Sequence, residues 1–159
     1  MISCSIPGRG TIEIHHLVCD LNGTLALEGE LLPGVADALS QLKNEMEIHI
    51  ISADTFGKLP QVKAVLGESV RHFHTLQVGS EAEQKLEYVE ALGASKVVAI
   101  GQGTNDRLML KGAALGVGVV SPEGSALETL LSADIIVPDI LRALELFLNP
   151  DRLKATLRQ

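Results

Sequence analysis

The sequence predicts an α/β fold built on a central parallel sheet, and three observations carry that prediction. Short runs of Val, Ile, Leu and Ala alternate along the chain with segments whose apolar residues recur at helical spacing. Hydrophobic residues make up 46% of the chain and aromatics only 3%, a small-aliphatic composition that suits parallel strands covered by helices on both faces. Several apolar runs end in an acid, a hydroxyl or a glycine, and in such a sheet polar residues at the carboxyl ends of strands gather in one crevice. At 159 residues the chain is sized for a single domain over 1–159 with a real core.

Residues 1–15 read as an N-terminal β-hairpin: Ile2-Ser3-Cys4-Ser5-Ile6 and Thr11-Ile12-Glu13-Ile14-His15 flank the turn cluster Pro7-Gly8-Arg9-Gly10. The hairpin either shields an edge of the sheet or joins subunits. The core then runs over 16–149. His16-Leu17-Val18-Cys19-Asp20 is a strand delivering a carboxylate into the loop Leu21-Asn22-Gly23-Thr24, where Gly23 allows a sharp turn and neighbouring amides can face an anion. Ala26 to Leu32 is a short turn or flap. Pro33-Gly34 start a helix whose Val35, Leu39, Leu42 and Met46 form one apolar stripe.

Ile48-His49-Ile50-Ile51 is the next strand and ends in Ser52-Ala53-Asp54. Phe56 to Leu66 is helical in pattern, with Pro60 in its first turn, and Val70 to Leu76 is a third strand. Gly79 to Leu92 is a helix with Ser80 and Glu83 set for a capping box and Lys85 beside the apolar stripe of Ala82, Leu86 and Val89. Val97 to Ile100 feeds a second glycine-bracketed loop, Gly101-Gln102-Gly103-Thr104-Asn105-Asp106. Arg107 to Ala114 is a helix, Gly116 to Val120 a strand, Pro122 to Ser132 a helix and Asp134 to Val137 a last short strand. Ile140, Leu144 and Phe147 stripe a closing helix, and the amphipathic tail 150–159 either packs or frays.

Composition narrows the function. A net charge of −7 and a pI near 5.2 lack the basic footprint of a nucleic-acid binder. No apolar run approaches the roughly 18 residues of a membrane span, so a soluble, cytoplasmic protein is expected. Cys4 and Cys19 form no Cys-x-x-Cys pair, and Cys19 reads as a buried core thiol. The adjacent His15 and His16 point to opposite faces of a strand. His72 and His74 share a face at a spacing that suits zinc, but no cysteine or third ligand stands near them in sequence, and they read as a polar edge strand.

Asp20, Ser52 and Asp106 lie at strand ends, and Lys85 approaches from a helix: an attacking carboxylate, a hydroxyl donor, a cation and a metal-binding acid, the parts of phosphoryl transfer. Over 16–149 the chain resembles the haloacid dehalogenase (HAD) superfamily. The four signatures stand in order as Asp20-Leu21-Asn22-Gly23-Thr24, Ser52, Lys85 and Gly101-Gln102-Gly103-Thr104-Asn105-Asp106. The last loop with Leu110 to Val119 looks most like the phosphorylation domain of P-type ATPases. The intervals between signatures hold neither a nucleotide-binding domain nor a substantial cap.

The resemblance implies a three-layer α/β/α, Rossmann-like fold and a magnesium-dependent phosphohydrolase working through an aspartyl phosphate. In it Asp20, Asn22 and Lys85 occupy the catalytic positions; Gly23, Thr24, Ser52, Ala53 and Asn105 bind phosphate; and Asp20, Asn22, Asp106 and Gln102 surround the metal. The implied partner is a phosphorylated small molecule or phosphoprotein, reached through an open site or one closed by a second copy in a homo-oligomer. Two departures fall at the chemistry. Asn22 stands where phosphatases carry the proton-exchanging aspartate, and Gln102 replaces the first acid of the last loop, so turnover is expected to be slow and magnesium weakly held. The other expectation is an impaired relative that binds a phosphorylated ligand or partner without turnover.

Overall fold

The computed structural model describes residues 1–159. The strands are β1 (Ile2–Ile6), β2 (Gly10–Ile14), β3 (His16–Asp20), β4 (Ala26–Leu27), β5 (Glu30–Leu31), β6 (Glu47–Ser52), β7 (His72–Thr75), β8 (Val97–Gly101), β9 (Leu115–Val119) and β10 (Ile135–Val137). The helices are α1 (Val35–Leu42), α2 (Leu59–Leu66), α3 (Glu81–Ala91), α4 (Arg107–Gly112), α5 (Leu127–Leu131), α6 (Ile140–Leu148) and α7 (Pro150–Leu157).

Six strands form the central sheet in the order β10-β9-β8-β3-β6-β7, and every neighbouring pair is parallel. The chain lays β6 and β7 on one side of β3 and then returns to place β8 on the other. That reversal opens a crevice outside the carboxyl ends of β3 and β8, where ligands bind in sheets of this kind.

Strand alternation splits the core into two layers. Leu17, Cys19, Ile48, Ile50, Val98 and Ile100 pack with α1, α2, α6 and α7, where Leu39, Leu42, Val62, Leu144 and Phe147 are buried. Val18, Ile51, Val97 and Ala99 pack beneath α3 and α4 against Val89, Met109 and Leu110. Each such side chain contributes about 1.5–3 kcal/mol on burial, so the sheet is held between two apolar layers and its polar ends are held in place. This is the expected three-layer α/β/α arrangement. Cys19 is fully buried and its thiol is pushed up by burial, which leaves it a core residue.

The N-terminal hairpin is present, with Ile2 opposite Ile14 and Ile6 opposite Gly10. It forms a separate two-stranded sheet rather than extending the central one. Ile2, Cys4 and Ile6 are buried where β1 packs on α7. The tail is therefore helical and packed, with Leu153 buried.

Two local expectations are corrected. Ser80 stands at the N-cap of α3, but its side chain makes no cap hydrogen bond; Gln84 closes the turn instead, donating to Gln77 O and accepting from Gln77 N at 2.9 and 2.8 Å. The helix expected over 122–132 is confined to α5, because Ser125 Oγ bonds the backbone of Ser121 and Val119 and holds the preceding residues in a turn.

Candidate active site

The end of β3 places Asp20 at the crevice, and the loop beyond it turns through Gly23, whose φ is +79°. That left-handed backbone favours glycine, and the ends of the Gln102 and Glu123 side chains lie against the place a Cβ would take, 2.2 and 2.7 Å from it. Thr24, fully buried, donates to Asp20 Oδ2 at 3.3 Å.

Lys85, on the buried side of α3, reaches beneath the crevice with its side chain 1% exposed. Its Nζ donates to Asp20 Oδ1 and to Asp106 Oδ1, both at 2.6 Å. Asp106 Oδ2 accepts from the amides of Gln102 and Gly103, each at 2.9 Å. Asp106 thus ties the loop after β8 to the lysine, and both of its oxygens are engaged while the residue is fully buried.

Two carboxylates share one ammonium in a dry environment, and the electrostatics follow from that ratio. Burial, then the negative charge of Asp106, pushes the Asp20 carboxyl up to about 7 against the pull of Lys85. Lys85 is pushed up in turn: burial opposes its charge, but the Asp20 and Asp106 carboxylates outweigh it.

The structure brings the sequence-predicted residues together. Asp20, Asn22, Ser52, Ala53, Gln102 and Asn105 line one cleft of about 490 Å³. Gly23 and Thr24 border the adjoining cavity with Leu32 and Pro33, and Lys85 and Asp106 lie buried behind the cleft wall. Ser52 Oγ accepts from Asp54 N at 2.9 Å, which leaves its own proton free to donate. Asn105 Nδ2 donates to Glu81.

The donor set suits a hard divalent cation. The Asp20 carboxylate, the Asn22 oxygens and the Gln102 amide oxygen are all oxygen ligands. Asn22 Oδ1 is buried without a hydrogen-bond partner, a lone acceptor that a cation or its water satisfies. Asp106, already accepting from Lys85 and two amides, is fully buried and does not line the cleft.

Sequence reasoning missed Glu81 and Glu123, which line the same cleft. Glu81 reads as an ordinary first-turn acid of α3, and Glu123 falls in a stretch with helical pattern. Only the return of the β9 loop over Gly23 brings Glu123 to the site, and no spacing signal announces it.

The six-stranded parallel sheet between two helical layers is a HAD-like fold. The chain aligns with the 3-deoxy-D-manno-octulosonate 8-phosphate phosphatase of Moraxella catarrhalis, solved with magnesium, phosphate and KDO, at a TM-score of 0.66 and 21% identity, covering 91% of this chain and 94% of that one. The catalytic domain of the CPx-ATPase CopB-B aligns at a TM-score of 0.59 and 31% identity over 76% of this chain, which spans 46% of that domain's chain. No family model matches the sequence. More particularly, the chain belongs to the same family as the uncharacterized protein MJ0073 of Methanocaldococcus jannaschii, 50% identical over 84 residues that cover 50% of this chain and 90% of that protein. No helix is long and apolar enough to cross a membrane.

Proposed function

We propose that this protein is a magnesium-dependent phosphohydrolase in which Asp20 is the phosphoryl acceptor. One observation carries the reading: Lys85 is clamped between Asp20 and Asp106 at 2.6 Å from each, at the strand ends flanking the reversal of the sheet. A phosphoester entering the cleft meets the Asp20 carboxylate, the Ser52 hydroxyl and the Asn105 side chain that line it, beside the loop amides around Gly23.

An Asp20 oxygen forms a bond to phosphorus as the bond to the leaving oxygen breaks, leaving an aspartyl phosphate. Lys85 and the loop donors offset the charge that accumulates on the phosphoryl oxygens, in a dry site where such donors act most strongly. Water then displaces phosphate from Asp20 and regenerates the carboxylate. Magnesium, when bound, screens the phosphoryl charge; Asp20, the Asn22 carbonyl and the Gln102 side-chain oxygen are the groups we assign to hold it. Asp106 acts through Lys85 and the loop, as a positioning residue.

Asn22 donates no proton to the leaving group and takes none from water. The reading therefore favours substrates with good leaving groups, such as acyl and aryl phosphates. Asn22 also supports a second reading, a relative that binds phosphorylated ligands without turning them over. The test is phosphate release from acetyl phosphate and p-nitrophenyl phosphate with and without magnesium. Release that needs magnesium and is lost in Asp20→Asn supports the enzyme, whereas phosphate binding with no release by the wild-type chain supports the second reading.

A further inference from the structure

At the end of the sheet opposite Asp20, three adjacent strands each contribute an imidazole to one face. Register sets Glu47 beside His16 and His49 beside Val18 on β3, and His72 beside His49 on β7. With side chains alternating along each strand, His16, Glu47, His49 and His72 all fall on the face covered by α3. His16 Nδ1 lies 3.1 Å from His49 Nε2. Glu47 Oε2 lies 3.5 Å from His16 Nδ1, 3.9 Å from His49 Nε2 and 3.7 Å from His72 Nε2.

Ligands around a tetrahedral zinc ion, with bonds of about 2.0–2.1 Å, stand about 3.3–3.4 Å from one another. The separations among these donor atoms bracket that value. The ligand atoms of His16, Glu47 and His49 lie within 4.8 Å of one another, close enough for one ion to bridge all three.

We propose that His16, Glu47 and His49 form a zinc site distinct from the active site, with water as the fourth ligand. Imidazole-rich sets of this kind select borderline ions such as zinc and cobalt over magnesium, whereas the oxygen donors around Asp20 do the reverse. The site also has a supporting contact and an entrance. His49 Nδ1 lies 3.0 Å from the Tyr88 hydroxyl, so with Nε2 bound to the ion its Nδ1–H donates to Tyr88, which fixes the ring. His49 forms the floor at 2% exposed, while Glu47 and His72 are 58% and 44% exposed and open the site to solvent. His72 stacks on His49 with ring centroids 4.4 Å apart, at the rim. An ion there would tie β3 and β6 together at their amino-terminal ends.

The experiment titrates metal-free protein with cobalt in the presence of excess magnesium, following the visible absorption of tetrahedral cobalt, and then displaces it with zinc. One equivalent is expected, unchanged in Asp20→Asn and lost in both His16→Ala and Glu47→Gln, with folding checked by circular dichroism. Tyr88→Phe should weaken zinc binding by about 10–100-fold. In the wild-type chain, the ring resonances of His16 and His49 should shift on zinc addition, a readout that needs no variant. Absence of a one-equivalent complex in the folded wild-type protein, or binding undiminished in His16→Ala and Glu47→Gln, overturns the proposal. Neither result bears on phosphate release at Asp20, so the two sites stand or fall separately.

Discussion

Asp106 and Lys85 are both buried, and the 2.6 Å ion pair between them is as short as the one Lys85 makes with Asp20. The lysine is therefore held from behind by an acid that never reaches the cleft. Asp106→Asn keeps the shape but removes that hold, and it leaves Asp20 as the sole anionic partner of Lys85. Phosphate release should fall while substrate affinity changes less, a split between kcat and KM that steady-state kinetics measures. A raised KM with kcat unchanged would place Asp106 in substrate binding instead.

Lys85→Ala should do more harm. It leaves two buried carboxylates without their cation, and breaking a buried pair by removing one partner costs about 3–5 kcal/mol. Chemical denaturation should show a loss of that order, together with loss of phosphate release. A variant as stable as the wild type would mean that water already reaches this group.

The raised Asp20 carboxyl makes a signed prediction about pH. Its ordinary value is 3.8 and the folded value is about 7, so the folded state holds the proton more tightly and stability falls as pH rises across that interval. Asp20→Asn removes the ionisation. The variant should match the wild type near pH 4 and become more stable by roughly 1–3 kcal/mol by pH 8. Thermal melts at both pH values check it, and a difference independent of pH contradicts it.

Asn22 and Gln102 were each legible as departures from a pattern, and each can be reversed. Asn22→Asp restores a proton-exchanging group whose help is typically worth about 10²–10⁴-fold, and phosphate release should rise within that range. Gln102→Asp adds a carboxylate to the cation donors and should tighten magnesium binding in a calorimetric titration. Unchanged affinity would remove Gln102 from the metal assignment.

Much of the site was readable because its residues sit at the ends of strands. Asp20, Ser52 and the Gln102 loop follow apolar runs, and a parallel sheet gathers strand ends without further information. Lys85 was readable as a position but not as an environment: its helix carries Glu81, Glu83, Glu87 and Glu90, so its burial between two acids follows from how α3 lies on the sheet. The histidines show the opposite limit. His16, His49 and His72 are separated by 33 and 23 residues in the sequence, and a reading confined to one strand at a time pairs His72 with His74. Only the order β3-β6-β7 makes neighbours of them. Glu123 reached the cleft through a loop that read as helix, because Ser125 bonding to Val119 and Ser121 is a tertiary detail that helical periodicity does not encode.

The most direct test of the central claim is the intact mass of the chain after incubation with acetyl phosphate and magnesium, quenched in acid. With Asn22 slowing the second step, the wild-type chain should carry one phosphoryl group, mapped to Asp20, absent without magnesium and absent in Asp20→Asn. An unmodified wild-type chain that releases no phosphate, or a phosphoryl group that persists in Asp20→Asn, would contradict the assignment of Asp20 as the phosphoryl acceptor.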